Sequence, residues 1–218
     1  SLEHEICSRS LLVVSGGGGG AGYVYPGSYE ELERNGLLPD LMVGTSIGAL
    51  MSLFRARRRR HDTAPLVAAS KRLAWSNVFR VLEADNRYGL PASLRLYLHN
   101  ALGNLFLNDD GEPLKICETE IPMFSVVAGI TVDALKHDLD YYEHLIETEM
   151  RTGGLRSGIR AVFKVIGMLR EFLSRRDALR EIVIGKTPGT EQFDALDAAG
   201  FSSAIPGVIH YDVLREAP

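Results

Sequence analysis

Gly44-Thr45-Ser46-Ile47-Gly48 is a G-x-S-x-G. A serine that attacks an ester must stand clear of the backbone. A tight strand-to-helix turn achieves this, but it crowds the positions two before and two after the serine, where only glycine or another very small residue fits. The flanks suit such a turn. Leu41-Met42-Val43 reads as a short strand, and Ile47, Leu50, Met51 and Phe54 fall on one helical face. The chemistry implied is attack by the Ser46 hydroxyl on an acyl carbonyl, beside the positive end of a helix dipole. The plain alternative is an ordinary glycine turn.

A second glycine segment, Gly16 to Gly22 (GGGGGAG), also lies between a strand and a helix. Spaced as Gly17, Gly19 and Gly22, it matches a dinucleotide fingerprint. That use wants an acidic residue at the end of the second strand to hold a ribose, and the second strand here runs into Gly44-Thr45-Ser46. The same bare backbone serves another anion. Amide hydrogens unobstructed by side chains converge on the oxyanion of a tetrahedral intermediate, and one such donor is worth about 3 kcal/mol in a transition state.

The elements that would position these motifs follow from the apolar pattern. Leu11 to Val14 reads as a strand buried on both faces, Gly27 to Asn35 as a helix closing at Gly36, and Pro39-Asp40 as a turn. Strand, glycine loop, helix, strand, sharp turn and helix is the rhythm of a parallel sheet flanked by helices. Further on, Ala64 to Val81 has mixed helical spacing. Tyr88 to Phe106 reads as a turn and then a helix, Asn108 to Pro113 as a loop, and Met123 to Ile130 as a strand. Residues 138–149 are acidic, 155–183 carry the apolar stripe of a long amphipathic helix, and 200–218 read mostly as loop.

A glycine-rich loop after the first strand, then G-x-S-x-G at the end of the next, resembles the patatin-like phospholipase family. The likeness is clearest over residues 11–51, with Gly27 and Glu31-Leu32 also fitting, and returns at Gly200 to Val208 (GFSSAIPGV). Asp110-Gly111-Glu112-Pro113, followed by the strand from Met123, fits in order. The resemblance implies an α/β fold of three layers, α/β/α, with a mostly parallel central sheet in one domain over residues 1–218. It implies hydrolysis of fatty-acyl esters, of phospholipase A or lysophospholipase type, by a Ser–Asp dyad with no metal and no cofactor. Carried over, Ser46 is the nucleophile and forms the acyl-enzyme. The backbone of Gly17, Gly18 and Gly19 holds the oxyanion, and Gly22, Gly44 and Gly48 are the motif glycines. The family usually has Lys or Arg before the last loop glycine, where this chain has Ala21.

The base departs further from the pattern. The family's aspartate lies in an Asp-Gly-Gly or Asp-Gly-Ala turn downstream of the SSAIPG stretch, and this chain reaches Pro218 without one. Asp110-Gly111 comes too early and reads as a β-turn, while Asp194, Asp197 and Asp212 lack the following glycine. The expectation is a domain incomplete at its C-terminal end, with the aspartate beyond Pro218. The alternative is a catalytically inactive lipid-binding or scaffold member of the same fold. Of the six histidines only His210 is late enough for a Ser-His-Asp order, and it reads as a surface-loop residue.

Bulk properties narrow the classes further. The chain has 218 residues, enough for one α/β domain with its own core. A net charge of −4 gives no pull toward nucleic acid. Cys7 and Cys117 have neither zinc-ligand nor disulfide-framework spacing and read as free thiols. No apolar run reaches 18 residues and no signal peptide is evident, so a soluble domain, cytoplasmic or membrane-peripheral, is expected. Arg55, Arg57 to Arg60 and His61 form a basic cluster, either a solvated helix end or a contact for anionic lipid headgroups. The basic stretch from Leu155 is a second candidate for a membrane surface, or else packs on the core.

Overall fold

The computed structural model describes residues 10–72, 79–81, 92–130, 179–205 and 207–211. The main elements are β1 (Leu12–Ser15), a 3-10 turn (Gly19–Tyr23), α1 (Val24–Arg34), β2 (Leu41–Gly44), α2 (Ile47–Ala56), α3 (Ala64–Arg72) and β3 (Phe79–Val81). There follow β4 (Ala92–Leu96), α4 (Leu98–Leu102), β5 (Met123–Ile130), β6 (Leu179–Ile184), α5 (Ala195–Ser203) and β7 (Gly207–Tyr211). Four strands form a sheet in the order β1-β2-β5-β6, in which β1, β2 and β5 run parallel and β6 pairs antiparallel to β5. The fold is therefore α/β, with a mostly parallel sheet flanked by helices. A second sheet has the order β3-β4-β7, with β4 and β7 parallel.

Register sets up the site. Ser15 pairs with Gly44 and Gly44 with Ser125, so three small residues stand side by side where β1 and β2 end. Ser15, Gly44 and Ser125 are all buried. Their size lets α2 and α5 come down close on the carboxyl end of the sheet, where α/β folds place their ligands.

The spacing in α2 suggests one apolar face, yet every residue from Gly48 to Ala56 is buried. The helix lies among β2, β5, α1 and α5 and is a core helix on all sides. Its two polar side chains are matched. Ser52 Oγ lies 3.4 Å from the Tyr29 hydroxyl, which also meets Ser15 Oγ at 2.5 Å; burial pushes the Tyr29 phenol up. Arg55 donates Nη1 to the carbonyls of Arg58 and Arg59, 3.0 Å each, holding the turn just beyond the helix end, and its Nη2 lies 3.2 Å from Glu33 Oε2. Burial lowers the Arg55 guanidinium from its ordinary value, with Glu33 opposing.

The basic cluster divides: Arg55 is buried, Arg57 and His61 are half-buried, and Arg58, Arg59 and Arg60 are exposed just past the helix end. Arg57 lies over the Phe54 and Phe106 rings while donating to the Leu105 carbonyl. Arg58 pairs with Glu120 at 3.1 Å. Glu120 also accepts from the Arg59 amide, and that bond foremost, then Arg58, holds its carboxyl below the usual range.

Other expectations change as well. Strand β1 lies at the edge of the described sheet, and Leu12 and Val14, which share one face of it, are exposed, so the strand is not buried on both faces. Residues 92–96 and 79–81 are strands where the spacing suggests helix, and 179–184 form β6 rather than the end of a helix. Ile182-Val183-Ile184 is a β-branched run, and pairing with β5 outweighs the longer helical period. From Gly200 to Tyr211 the described residues hold the end of α5 and then β7 where loop is expected. Helix α1 ends as expected: Gly36 takes φ 73°, and Leu37 N–H reaches back to the Leu32 carbonyl. Cys117 is a free thiol, while Cys7, the acidic segment 138–149 and the amphipathic stretch 155–178 lie outside the described residues.

Removing Glu33 would leave the buried Arg55 charge without its carboxylate. Breaking a fully buried pair costs about 3–5 kcal/mol, and partial exposure of Glu33 lowers the expectation for Glu33→Ala to about 2 kcal/mol. Urea unfolding of the two proteins measures this; superimposable midpoints would refute the role of the Arg55–Glu33 pair.

Candidate active site

Ser46 connects β2 to α2 with φ 54° and ψ −132°. It is the one non-glycine residue with positive φ among the described residues. Such a conformation costs on the order of 1–3 kcal/mol and persists only where its surroundings enforce it. The flanking glycines do so. A Cβ on Gly44 would stand 2.7 Å from the Ala49 nitrogen and the Gly48 oxygen. A Cβ on Gly48 would overlap the carbonyl oxygens of Ser15 and Gly16. The G-x-S-x-G spacing is therefore demanded by backbone packing against backbone, where no side chain can yield. Thr45 N–H donates to the Ser15 carbonyl at 3.0 Å and joins the turn to the end of β1.

The glycine loop and the serine are brought together. A Cβ on Gly17 would lie 3.2 Å from Ser46 Cβ and 3.8 Å from its Oγ, so the Gly17 backbone passes directly beside the hydroxyl. Gly18 and Gly19 follow with φ 150° and 56°, values that favour glycine, and begin the 3-10 turn. Gly22 is buried with its α-carbon against the Ile47 side chain, which closes the loop down on α2. Ser46 is half-buried, and among the described residues no carboxylate or imidazole hydrogen-bonds its Oγ.

Helix α5 braces the turn from the other side. Ser46 N–H donates to Ser202 Oγ at 2.8 Å, and Ser202 Oγ donates to the Val126 carbonyl at 2.6 Å. The strained amide is thereby satisfied and tied to β5. The helix itself is fixed along its length. Ser125 Oγ donates to the Ala198 carbonyl, and Asp194 Oδ1 caps the first turn by accepting from the Leu196 and Asp197 amides. Asp197 Oδ1 meets His99 Nε2 at 2.7 Å and accepts from the Tyr211 hydroxyl at 2.6 Å. Burial, then the Asp197 charge, pushes the Asp194 carboxyl up. His99, Asp194 and Asp197 place ligand-type atoms within 4.8 Å of one another, but these protein hydrogen bonds already engage them. Gly200 lies flat on the Tyr211 ring, where any side chain would collide.

The family model for patatin-like phospholipase matches residues 12–216. The chain belongs to the patatin-like phospholipase family. Curated relatives include the lysophospholipase NTE1 of Pyricularia oryzae, 34% identical over 73 residues, and the lysophospholipase nte1 of Aspergillus terreus, 37% identical over 73 residues. Each alignment covers 34% of this chain, and the chain spans about 5% of the length of these relatives. No solved structure gives a significant match.

Asp110-Gly111 is a turn, with Gly111 at φ 80° and Asn108 Oδ1 accepting from the Asp110 and Glu112 amides. His210 is buried within β7 rather than on a surface loop. Asp194 and Asp197 are occupied at the start of α5, and Asp212 lies outside the described residues. A cavity of about 320 Å³ lined by Arg57, Leu105, Asp110 and Glu118 belongs to the far end of α2, about 15 Å along the helix from Ser46. Ser202 escapes sequence reasoning: GFSSAIPGV marks the stretch, but nothing local says which serine bonds the turn.

Ser202→Ala is expected to orphan the Ser46 amide and cost about 1–3 kcal/mol of stability. Ser203→Ala, which removes only a bond to the Ala199 carbonyl one turn back, is the matched control and should cost less. Equal unfolding midpoints for the two variants would contradict the bracing role.

Proposed function

We propose that the protein is a serine-dependent lipid acyl hydrolase of phospholipase A or lysophospholipase type. The observation that carries this reading is the strained Ser46 beside the bare backbone of Gly17. Membership of the family supports lipid acyl esters as substrates, and the relatives named lysophospholipases support the finer class.

In this mechanism Ser46 Oγ attacks the ester carbonyl carbon, its proton passes to a base, and the carbonyl π-electrons move to oxygen. Amides of Gly17, Gly18 and Gly19 donate to that oxyanion. Collapse expels the alcohol and leaves an acyl-enzyme, which water then cleaves to the free acid. We assign the base to an aspartate outside the described residues, as the Ser–Asp dyad of the resemblance requires. No metal or cofactor enters the scheme.

One observation favours a second reading, an inactive lipid-binding or scaffold member: no described base reaches Ser46 Oγ. A fluorophosphonate probe separates the two. The hydrolase predicts covalent labelling of the full-length polypeptide, lost in Ser46→Ala. Failure to label well-folded protein would favour the scaffold.

Among the described residues no helix is long and apolar enough to cross a membrane. Peripheral contact with anionic lipid falls to the exposed Arg59 and Arg60 and the basic stretch 155–178, because the Arg55, Arg57 and Arg58 side chains have protein partners. Flotation with anionic vesicles should exceed that with neutral ones and weaken with salt. Identical flotation with both would remove the electrostatic part of the proposal.

A further inference from the structure

The mechanism gives no task to Tyr25, the second residue of α1. Its ring stacks on that of Tyr29, with centroids 6.1 Å apart and 14° between planes. Its hydroxyl donates to the Gly16 carbonyl oxygen at 3.0 Å. That oxygen also lies against Gly48, where an added Cβ would overlap it. The Gly16 carbonyl is therefore held from two sides, at the point where β1 gives way to the loop.

The next group in the chain is the Gly17 N–H. None of the described peptide bonds is cis, and in a trans peptide the carbonyl and the following N–H point in opposite directions. Holding the Gly16 oxygen against Gly48 and Tyr25 turns the Gly17 N–H to the opposite side of the same plane. Gly17 is the loop residue that abuts Ser46. A run of glycines from Gly16 to Gly20 has no side chains to fix its own planes, and Gly17 to Gly20 are exposed. Orientation must come from outside the run.

We propose that Tyr25 is a positioning residue for the oxyanion loop, its hydroxyl locking the Gly16–Gly17 peptide plane so that the Gly17 amide faces the reacting carbonyl oxygen. This rests on the acyl-hydrolase reading for its catalytic consequence, though not for the geometry. Tyr25 differs from its neighbour Tyr29. Tyr29 is buried with its hydroxyl between Ser15 and Ser52, so it serves the core. Tyr25 is only partly buried, and water can replace its hydroxyl on the Gly16 oxygen with little loss of stability but with loss of direction.

The test is Tyr25→Phe in the full-length polypeptide, which keeps the stacked ring. With fluorophosphonate, the maximal labelling rate of Ser46 should fall about tenfold, less than the 10²–10³ seen when an oxyanion donor is deleted outright, while the half-saturating probe concentration and melting temperature hold. An unchanged maximal rate, or a change confined to half-saturation, overturns the proposal. If wild-type protein does not label, the hydrolase reading fails, and the amide order parameter of Gly17 decides the role of Tyr25. A value near 0.85 in wild type that drops below about 0.6 in Tyr25→Phe sustains the positioning role; equal values overturn it.

Discussion

Everything around Ser46 depends on how near the first turn of α2 comes to the end of β1. The Gly48 α-carbon rests on the carbonyl oxygens of Ser15 and Gly16, a distance at which no side chain is tolerated. That contact carries the glycine loop, which leaves β1 at Gly16, past the serine at the head of α2. Gly44 makes the complementary close approach from β2. The strain at Ser46 and its adjacency to Gly17 are two consequences of one packing constraint, and the hydrogen bond from Thr45 N–H to the Ser15 carbonyl holds the arrangement shut.

A helix that presses so hard on a sheet must be buried nearly everywhere, and α2 is. Burial raises the cost of its polar side chains, and both Ser52 and Arg55 have partners, although Arg55 Nε makes no hydrogen bond. Ser52 shares the Tyr29 hydroxyl with Ser15, and Arg55 holds the turn that follows its helix while meeting Glu33 of α1. Arg55 thus serves the architecture, while Arg58, Arg59 and Arg60 beyond the helix end stand at the surface. The distance between this end and Ser46, about 15 Å for ten residues, keeps it out of the chemistry.

Helix α5 supplies the opposing wall. Small residues, Ala195, Ala198, Ala199 and Gly200, let it lie close to its neighbours, and Ser202 at its end reaches both the Ser46 amide and the Val126 carbonyl. The polar cluster of His99, Asp194, Asp197 and Tyr211 anchors the start of that helix and its union with β7. A hydroxyl fixed by two firm partners is a better brace than a flexible one, because its own torsion is no longer free.

The order of β1, loop, α1, β2, turn and α2 is legible in the sequence because each signal there is local. Glycines sit two before and two after Ser46, a C-cap glycine stands at Gly36, and short apolar runs stop where turns begin. The nucleophile candidate and its glycine loop follow from the same short-range rules. What the tertiary structure alone decides is long-range. Ser202 lies 156 residues from Ser46, and nothing in GFSSAIPGV distinguishes it from Ser203. Residues 92–96 become a strand because 207–211 lie beside them, and 179–184 because β5 offers an edge. Arg55 looks like one of a solvated run until α2 is seen to be enclosed. Periodicity reports which side of an element is apolar; which partner covers it, and whether a charge is left in water, is fixed only when distant segments meet.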